Sequence, residues 1–170
     1  SHHLAISKSG LISIAGGKWT TYRKMAEDTV TQAAMFADLP ERPCPTENLR
    51  LHGWIDQVDA SNHLDAYGSD KEAVLGLGKE QPDLLEPLHP KLPYLRAEVI
   101  YGVRQEWAQT VYDVLAHRTR ALILDAKASV SIAPEVARLM AHELGRDQAW
   151  EQAQVSAFTS KAEAFLLDPP

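Results

Sequence analysis

A short run of small, cationic and hydroxyl-bearing residues near the start of the sequence has types and spacing suited to binding an anion. It reads Gly16-Gly17-Lys18-Trp19-Thr20-Thr21. Two glycines between a strand and a helix bring bare backbone close to a ligand, and the free N–H groups at the helix start attract negative charge. Lys18 adds a full cation, and Thr20 and Thr21 can donate hydroxyl hydrogen bonds. The same spacing fits an ordinary turn, in which the glycines serve only the change of chain direction.

The flanking sequence predicts the elements that position this corner. Residues 3–15 alternate as two strands around a turn at Lys8-Ser9-Gly10, with a β-branched run in the second strand. Apolar or small side chains then recur at helical spacing from Tyr22 to Ala37, which predicts a helix with one buried face. The corner therefore joins the second strand of a hairpin to an amphipathic helix.

Three prolines, Pro40, Pro43 and Pro45, follow that helix and cannot continue it. They predict a stiff linker at 40–47 between a strand-strand-helix segment at 1–39 and a helical domain at 48–170. The expected fold class is α+β, a short hairpin-and-helix element followed by a mainly α-helical domain. No repeat of fixed period indicates a solenoid.

Capping signals divide the helical part. Ser69-Asp70-Lys71-Glu72 predicts a capping box at a helix start, with Gly68 ending the preceding short helix. Two apolar stripes within 95–125 predict either one kinked helix or two helices joined near Gln109-Thr110. Pro134 is expected in the first turn of the next helix.

The C-terminal signals predict where two further helices end and begin. Gly145 is expected to end the helix that contains Pro134, and Asp147 to cap the last one. The side chains that the last helix is expected to bury are Trp150, Ala153, Ala157 and Phe165.

Composition excludes several function classes. The chain has 170 residues, a formal net charge of −6 and 45% hydrophobic residues, which favours a folded domain over disorder and over a basic nucleic-acid-binding surface. The seven histidines lack the spacing of metal ligands, so no metal site is predicted. Cys44, between two prolines, has no evident activating base and is expected to be inert.

The run GLISIAGGKWTTYRKMAEDTV at 10–30 resembles the last strand and helix of the FAD-dependent, aerobic and quinone-linked glycerol-3-phosphate dehydrogenases. Residues 94–108 and 113–120 are similar to the C-terminal cap domain of that family. The resemblance covers nearly all of the chain, more loosely between 46 and 92. It implies that 1–39 is the edge of the FAD/substrate domain and 48–170 the helical cap.

The resemblance implies a function and a site. The family oxidises sn-glycerol 3-phosphate to dihydroxyacetone phosphate, with hydride passing to FAD and electrons to a membrane quinone. Lys18 would be catalytic, facing the substrate and the flavin. The residues implied to bind the cofactor are Gly16, Gly17, Lys18, Thr20 and Thr21. The resemblance further implies a peripheral place at the inner face of the cytoplasmic membrane, or at the mitochondrial inner membrane in a eukaryote, and allows a homodimer; no nucleic-acid partner is expected.

The sequence also departs from the family pattern. No G-x-G-x-x-G motif follows a strand, so the chain is expected to be a C-terminal fragment that alone neither holds FAD nor turns over substrate. His117-Arg118 stands where the family has two arginines, which puts any role of that pair in doubt. Two alternatives stay open: an oxygen-dependent glycerol-3-phosphate oxidase of the same family, and a non-catalytic helical interaction or oligomerisation module.

Overall fold

The computed structural model describes residues 2–166 of the chain. Its strands and α-helices are, in chain order, β1 (His2–Ile6), β2 (Ile12–Gly16), α1 (Tyr22–Phe36), α2 (Lys71–Glu80), α3 (Arg96–Gln105), α4 (Ala121–Leu124), α5 (Ala126–Leu144) and α6 (Gln148–Ala162). Shorter 3₁₀ turns span Trp19–Thr21, His63–Asp70, Pro82–Leu85 and Glu163–Phe165, and a π-helical turn spans Asp113–Arg118. The predicted α+β, mainly helical fold class is confirmed.

The chain divides into two compact units, one up to His52 and the other from Gly53 onward. In the first, β1 and β2 pair antiparallel with Ile6 opposite Ile12. The predicted turn between them is confirmed: the Ser7 N–H donates to the Leu11 carbonyl at 2.9 Å, and Gly10 has a φ of 86° that favours glycine. The helix α1 follows β2 through the diglycine corner.

The first unit has no core of its own among its described residues. None of the residues 2–52 is buried, and α1 contributes no buried side chain. Val30, Met35 and Leu39 on and after α1 are all largely exposed. A two-stranded sheet and one helix of this kind bury too little apolar surface to be stable alone.

The second unit contains the hydrophobic core. The helix α5 lies at its centre and packs against α3, α4 and α6. The largest fully buried apolar side chains include Phe158, Leu115, Leu122, Met140 and Val99. Because the buried positions on α5 recur every three or four residues, this helix presents one continuous apolar face to its neighbours.

The predicted capping box at Ser69 is wrong. Asp70 is the N-cap of α2 and makes no side-chain capping bond, while the Ser69 N–H donates to the Gly53 carbonyl at 3.1 Å. Gly68, which does interrupt the preceding 3₁₀ segment as expected, turns the chain with a φ of 56° and lies so close to Gly53 that a Cβ there would overlap its carbonyl. Because of this long-range contact, Ser69 does not serve as the N-cap of α2.

The region 95–125 forms two separate helical segments, the second of the two predicted alternatives, because α3 ends at Gln105 and the π-helical turn begins at Asp113.

The prediction that Pro134 lies in the first turn of a helix is wrong. Asp125 caps α5 by accepting from the Ala128 N–H at 2.9 Å, which places Pro134 inside the helix. A proline there costs about 3 kcal/mol of helix stability, and the buried apolar face of α5 outweighs this cost.

The capping predictions for the last two helices are confirmed, and the predicted buried face of α6 is wrong. Gly145 ends α5 with a φ of 63°, and the Asp147 carboxylate accepts from the Trp150 N–H at 2.9 Å. The α6 side chains that face the core are Val155, Phe158 and Ala162, with Trp150 half-buried. The positions predicted to be buried but found exposed are Ala153, Ala157 and Phe165.

Candidate functional site

The diglycine corner is a turn that only glycine fills without strain. Gly16 and Gly17 have φ values of 79° and 82°, in the left-handed region. A Cβ at Gly17 would also overlap the thioether of Met25, which lies in the first turns of α1. The second glycine therefore allows α1 to approach the end of β2 closely.

Hydrogen bonds from Thr21 hold the backbone of Lys18 in place. The Thr21 hydroxyl accepts from the Lys18 N–H at 3.1 Å and donates to the Lys18 carbonyl at 2.9 Å. The Thr21 N–H donates to the same carbonyl at 2.9 Å. The hydroxyl hydrogen of Thr21 is thus used inside the corner, whereas that of Thr20 has no partner among the described residues.

The donors at the mouth of this corner are unpaired. Within the described residues, the Lys18 ammonium has no hydrogen bond or ion pair, and the N–H groups of Trp19 and Thr20 donate to no carbonyl. All three residues are exposed, and Trp19, at 86% exposure, stacks on Tyr22 with ring centroids 5.6 Å apart. The corner thus presents one cation and two backbone donors on a helix start, which suits an electron-rich ligand with acceptor atoms.

The charges further along α1 are, in contrast, paired within the helix. Arg23 binds Glu27 at 2.8 Å, and Lys24 binds Asp28 at 3.0 Å and Glu27 at 3.3 Å. The hydrogen bond from Arg23 holds the pKa of Glu27 below its ordinary value, and the one from Lys24 does the same for Asp28. Arg23 and Lys24 therefore stabilise the helix, and Lys18 remains available to a ligand.

Sequence reasoning missed a buried polar cluster in the second unit. Glu98, only 2% exposed, accepts from the Leu95 N–H at 2.6 Å, from His63 Nε2 at 2.9 Å and from the Tyr67 hydroxyl at 3.1 Å. Burial, followed by the Glu98 charge, raises the pKa of Tyr67. Glu98 stands third in α3, a position where a glutamate commonly reaches back to the N-cap N–H, but nothing in the sequence indicated its two distant partners.

The described part of the chain has neither a metal-binding cluster nor a membrane-spanning helix. No group of three or more His, Cys, Asp and Glu side chains is arranged to hold a metal ion. No helix there has the length and apolar character needed to cross a bilayer.

The free thiol of Cys44 is exposed, and a hydrogen bond with the Thr46 hydroxyl lowers its pKa.

The hairpin, the diglycine corner and the helical unit define an α+β protein in which a small hairpin-and-helix unit precedes a helical unit. The sequence model of one family, the C-terminal domain of alpha-glycerophosphate oxidase, matches residues 8–152. The chain belongs to this family, and the resemblance inferred from its sequence is confirmed.

Similar proteins agree with this assignment. The chain is 39% identical to a probable mitochondrial glycerol-3-phosphate dehydrogenase of Caenorhabditis elegans and 36% identical to a mitochondrial glycerol-3-phosphate dehydrogenase of Homo sapiens, over 98% and 91% of its length. It covers 25% and 24% of those proteins. A glycerol-3-phosphate dehydrogenase of Mycobacterium leprae (strain TN) is 35% identical, with 98% of this chain and 32% of the relative covered. The chain thus spans about a quarter to a third of the length of these relatives.

A solved structure shows the same fold. The X-ray structure of the glycerol-3-phosphate dehydrogenase from Bacillus halodurans complexed with FAD superposes with a TM-score of 0.66 and 30% sequence identity. The match covers 98% of this chain and 38% of that one.

Proposed function

We propose that this chain is the C-terminal part of an FAD-dependent glycerol-3-phosphate dehydrogenase, which oxidises sn-glycerol 3-phosphate to dihydroxyacetone phosphate. The observation that carries the proposal lies at the diglycine corner, where the Lys18 ammonium and the N–H groups of Trp19 and Thr20 have no partner among residues 2–166. The relatives of similar sequence are named for this activity, and the solved neighbour is complexed with FAD.

The residues at the corner fit a flavin. When bound, FAD supplies the acceptor for the hydride, and negative charge collects on its ring. Backbone donors at a helix start and a nearby ammonium stabilise such charge without reorganising during the reaction. Gly16 carries no Cβ to obstruct the close approach of a ring, and Gly17 gives the corner its shape by letting the Met25 thioether of α1 lie against the backbone.

Each side chain at the corner has a separate role in this proposal. The Lys18 ammonium attracts the substrate phosphate or the ring edge, and the Thr20 hydroxyl donates to the cofactor. Thr21 fixes the Lys18 backbone through the two hydrogen bonds of its hydroxyl, so its contribution to cofactor binding is to hold the corner in shape. The absence of buried side chains among residues 2–52 supports the role of the first unit as the edge of a larger FAD/substrate domain.

The proposal also includes the domain boundaries, the electron acceptor and the location of the enzyme. Residues 1–39 form that edge, 40–47 the linker and 48–170 a cap that braces the active-site domain. Electrons pass to a membrane quinone, and the enzyme acts peripherally at a membrane, in keeping with the mitochondrial names of several relatives. Because the family model is named for an oxidase, oxygen uptake during turnover is the measurement that separates the two acceptors.

Replacement of Lys18 tests the proposal in the full-length enzyme. We expect Lys18→Ala to lower turnover with glycerol 3-phosphate by about 10²-fold, the effect of removing one preorganised charge from a reacting site. Lys24→Ala is the matched control, because it removes an exposed lysine of α1 whose partners are the Glu27 and Asp28 carboxylates. Equal turnover in the two variants would show that the corner is only a turn.

A further inference from the structure

Two turns of the helical unit hold large residues in a backbone conformation that suits glycine. Trp107, just after α3, has a φ of 58°, and Arg120, just before α4, has a φ of 59°. This conformation costs an L residue about 1–2 kcal/mol. Arg118 joins the turns, because its Nε and Nη2 atoms donate to the Glu106 carbonyl at 3.1 and 2.5 Å.

The side chains at these two positions face solvent. Trp107 is 83% exposed. The Arg120 carbonyl accepts from the N–H groups of Ile123 and Leu124, but its guanidinium is exposed and makes no hydrogen bond or ion pair with another described residue. Ile123 and Leu124, which follow Arg120 on α4, are largely exposed as well. We call these four residues the Trp107–Arg120 surface. Tryptophan and arginine are among the residues most enriched at the energetic hot spots of protein interfaces.

Nothing inside the described unit accounts for a tryptophan at position 107. The indole contributes no core packing, and a glycine would satisfy the backbone at lower cost. The π-helical turn between the two positions is a further irregularity of a kind that recurs at functional sites. The positive φ values of Trp107 and Arg120 cost free energy that no contact inside the described unit offsets. A contact outside the unit would offset it.

We infer that the Trp107–Arg120 surface docks on the part of the flavoenzyme that lies outside this chain. That part supplies an apolar pocket for the indole and a carboxylate or carbonyl acceptor for Arg120. The inference rests on the proposed function, since it requires a longer enzyme of which this chain is a portion.

Charge and connectivity favour this occupant over a second copy or a lipid surface. The acidic excess of the chain lies in the helical unit, so two such units, or one unit and an anionic membrane, repel each other. A portion of the same polypeptide binds at high effective concentration and needs no net attraction of charge. The relatives are three to four times as long as the chain, which leaves ample protein to fill this role.

Hydroxyl-radical footprinting of the full-length enzyme tests the inference directly. We expect Trp107 to oxidise severalfold more slowly in the folded enzyme than in the same enzyme unfolded in urea, at every protein concentration and without lipid. Oxidation at the unfolded rate would overturn the inference. Protection that disappears on dilution, or that requires vesicles containing anionic lipid, would also overturn it, in favour of a second copy or a membrane.

A pair of glycine substitutions separates docking from simple strain. Trp107→Gly relieves the backbone and removes the indole, whereas Asp38→Gly relieves a φ of 51° at a small exposed side chain. We expect hydrogen exchange of residues 106–124 in the full-length enzyme to rise severalfold in Trp107→Gly and to stay unchanged in Asp38→Gly. Unchanged or slower exchange in Trp107→Gly would contradict docking.

Flavin content and substrate-dependent turnover, recorded on the same samples, test the proposed function separately. A protected Trp107 in an enzyme that does not oxidise glycerol 3-phosphate would leave the docking surface supported and the proposed function refuted.

Discussion

Arg104 on α3 binds Glu143 on α5 through two parallel hydrogen bonds, from Nε to Oε2 at 2.6 Å and from Nη2 to Oε1 at 2.9 Å. The Glu143 side chain is 12% exposed and that of Arg104 46%. The pair joins the C-terminal ends of two helices that also pack through the core. The hydrogen bonds from Arg104 are the main reason that the pKa of Glu143 lies below its ordinary value.

We expect Arg104→Gln to lower the free energy of unfolding by about 1 kcal/mol at neutral pH, the upper end for a partly exposed ion pair. Because the folded pKa of Glu143 is lowered, the pair stabilises the protein above the ordinary carboxyl pKa, and this contribution is lost as pH falls through the folded pKa. Urea denaturation at a series of pH values should therefore show that the unfolding free energies of Arg104→Gln and of the unsubstituted protein become equal in acid.

Arg138→Gln is the control for this prediction, since Arg138 binds Glu135 three residues away on the same helix. Such a pair contributes only about 0.2–0.5 kcal/mol. A loss in Arg104→Gln that is the same at all pH values would mean that packing of the arginine stem, not the ion pair, holds α3 to α5.

The buried Glu98 carboxylate is expected to be the most sensitive polar position of the helical unit. Glu98→Ala removes the acceptor of three donors, those of Leu95, His63 and Tyr67, and should cost about 3 kcal/mol or more in unfolding free energy. Glu98→Gln keeps one acceptor oxygen and should cost less.

Denaturant titration of both Glu98 variants beside Glu80→Ala checks this order. Glu80 is exposed at the end of α2, where a substitution should change stability by less than about 0.5 kcal/mol. Similar losses in Glu98→Ala and Glu80→Ala would show that water reaches the three donors.

Turns and helix caps that depend on neighbouring residues could be predicted from the sequence, whereas positions determined by long-range packing could not. The hairpin turn at Gly10, the cap at Asp147 and the end of α5 at Gly145 each depend on side chain and backbone within a few residues, so their residue types predicted them. The predictions for Ser69 and Pro134 are wrong, because distant contacts determine both positions. The Ser69 N–H donates to the Gly53 carbonyl, and packing of α5 in the core keeps the helix continuous across the proline.

The same distinction holds at the sites. The Gly16–Thr21 corner is contiguous in sequence, which is why its glycines and Lys18 could be proposed as a unit. The partners of Glu98 lie 31 and 35 residues away, and a left-handed Trp107 leaves no trace in residue type, so neither was accessible to sequence reasoning.

Gly17→Ala should damage the corner in a way that a second glycine variant does not. Its φ of 82° and the adjacent Met25 thioether both oppose a Cβ, at a cost of about 1–2 kcal/mol for the backbone alone. In the full-length enzyme we expect weaker FAD retention and lower turnover, measured by flavin fluorescence on dilution and by dye reduction.

Gly10→Ala is matched to it in backbone, with a φ of 86° in the hairpin turn and Phe36 beside it. It should lower stability to a similar extent and leave FAD retention unchanged. Equal loss of flavin in both variants would assign the effect to general unfolding of the first unit.

The isolated chain is expected to bind no FAD. It contains no G-x-G-x-x-G motif, so the adenine nucleotide half of the cofactor lacks its phosphate-binding turn, and the corner would hold only one edge of the flavin ring. Contacts to a single edge cannot offset the cost of immobilising so large a ligand. Purified chain should therefore show no flavin absorbance and should leave the fluorescence of added FAD unchanged, while full-length enzyme carried through the same purification retains the cofactor. Stoichiometric flavin in the isolated chain would show that the corner and its neighbours form a complete binding site, and that the enzyme needs no other part of its sequence to hold FAD.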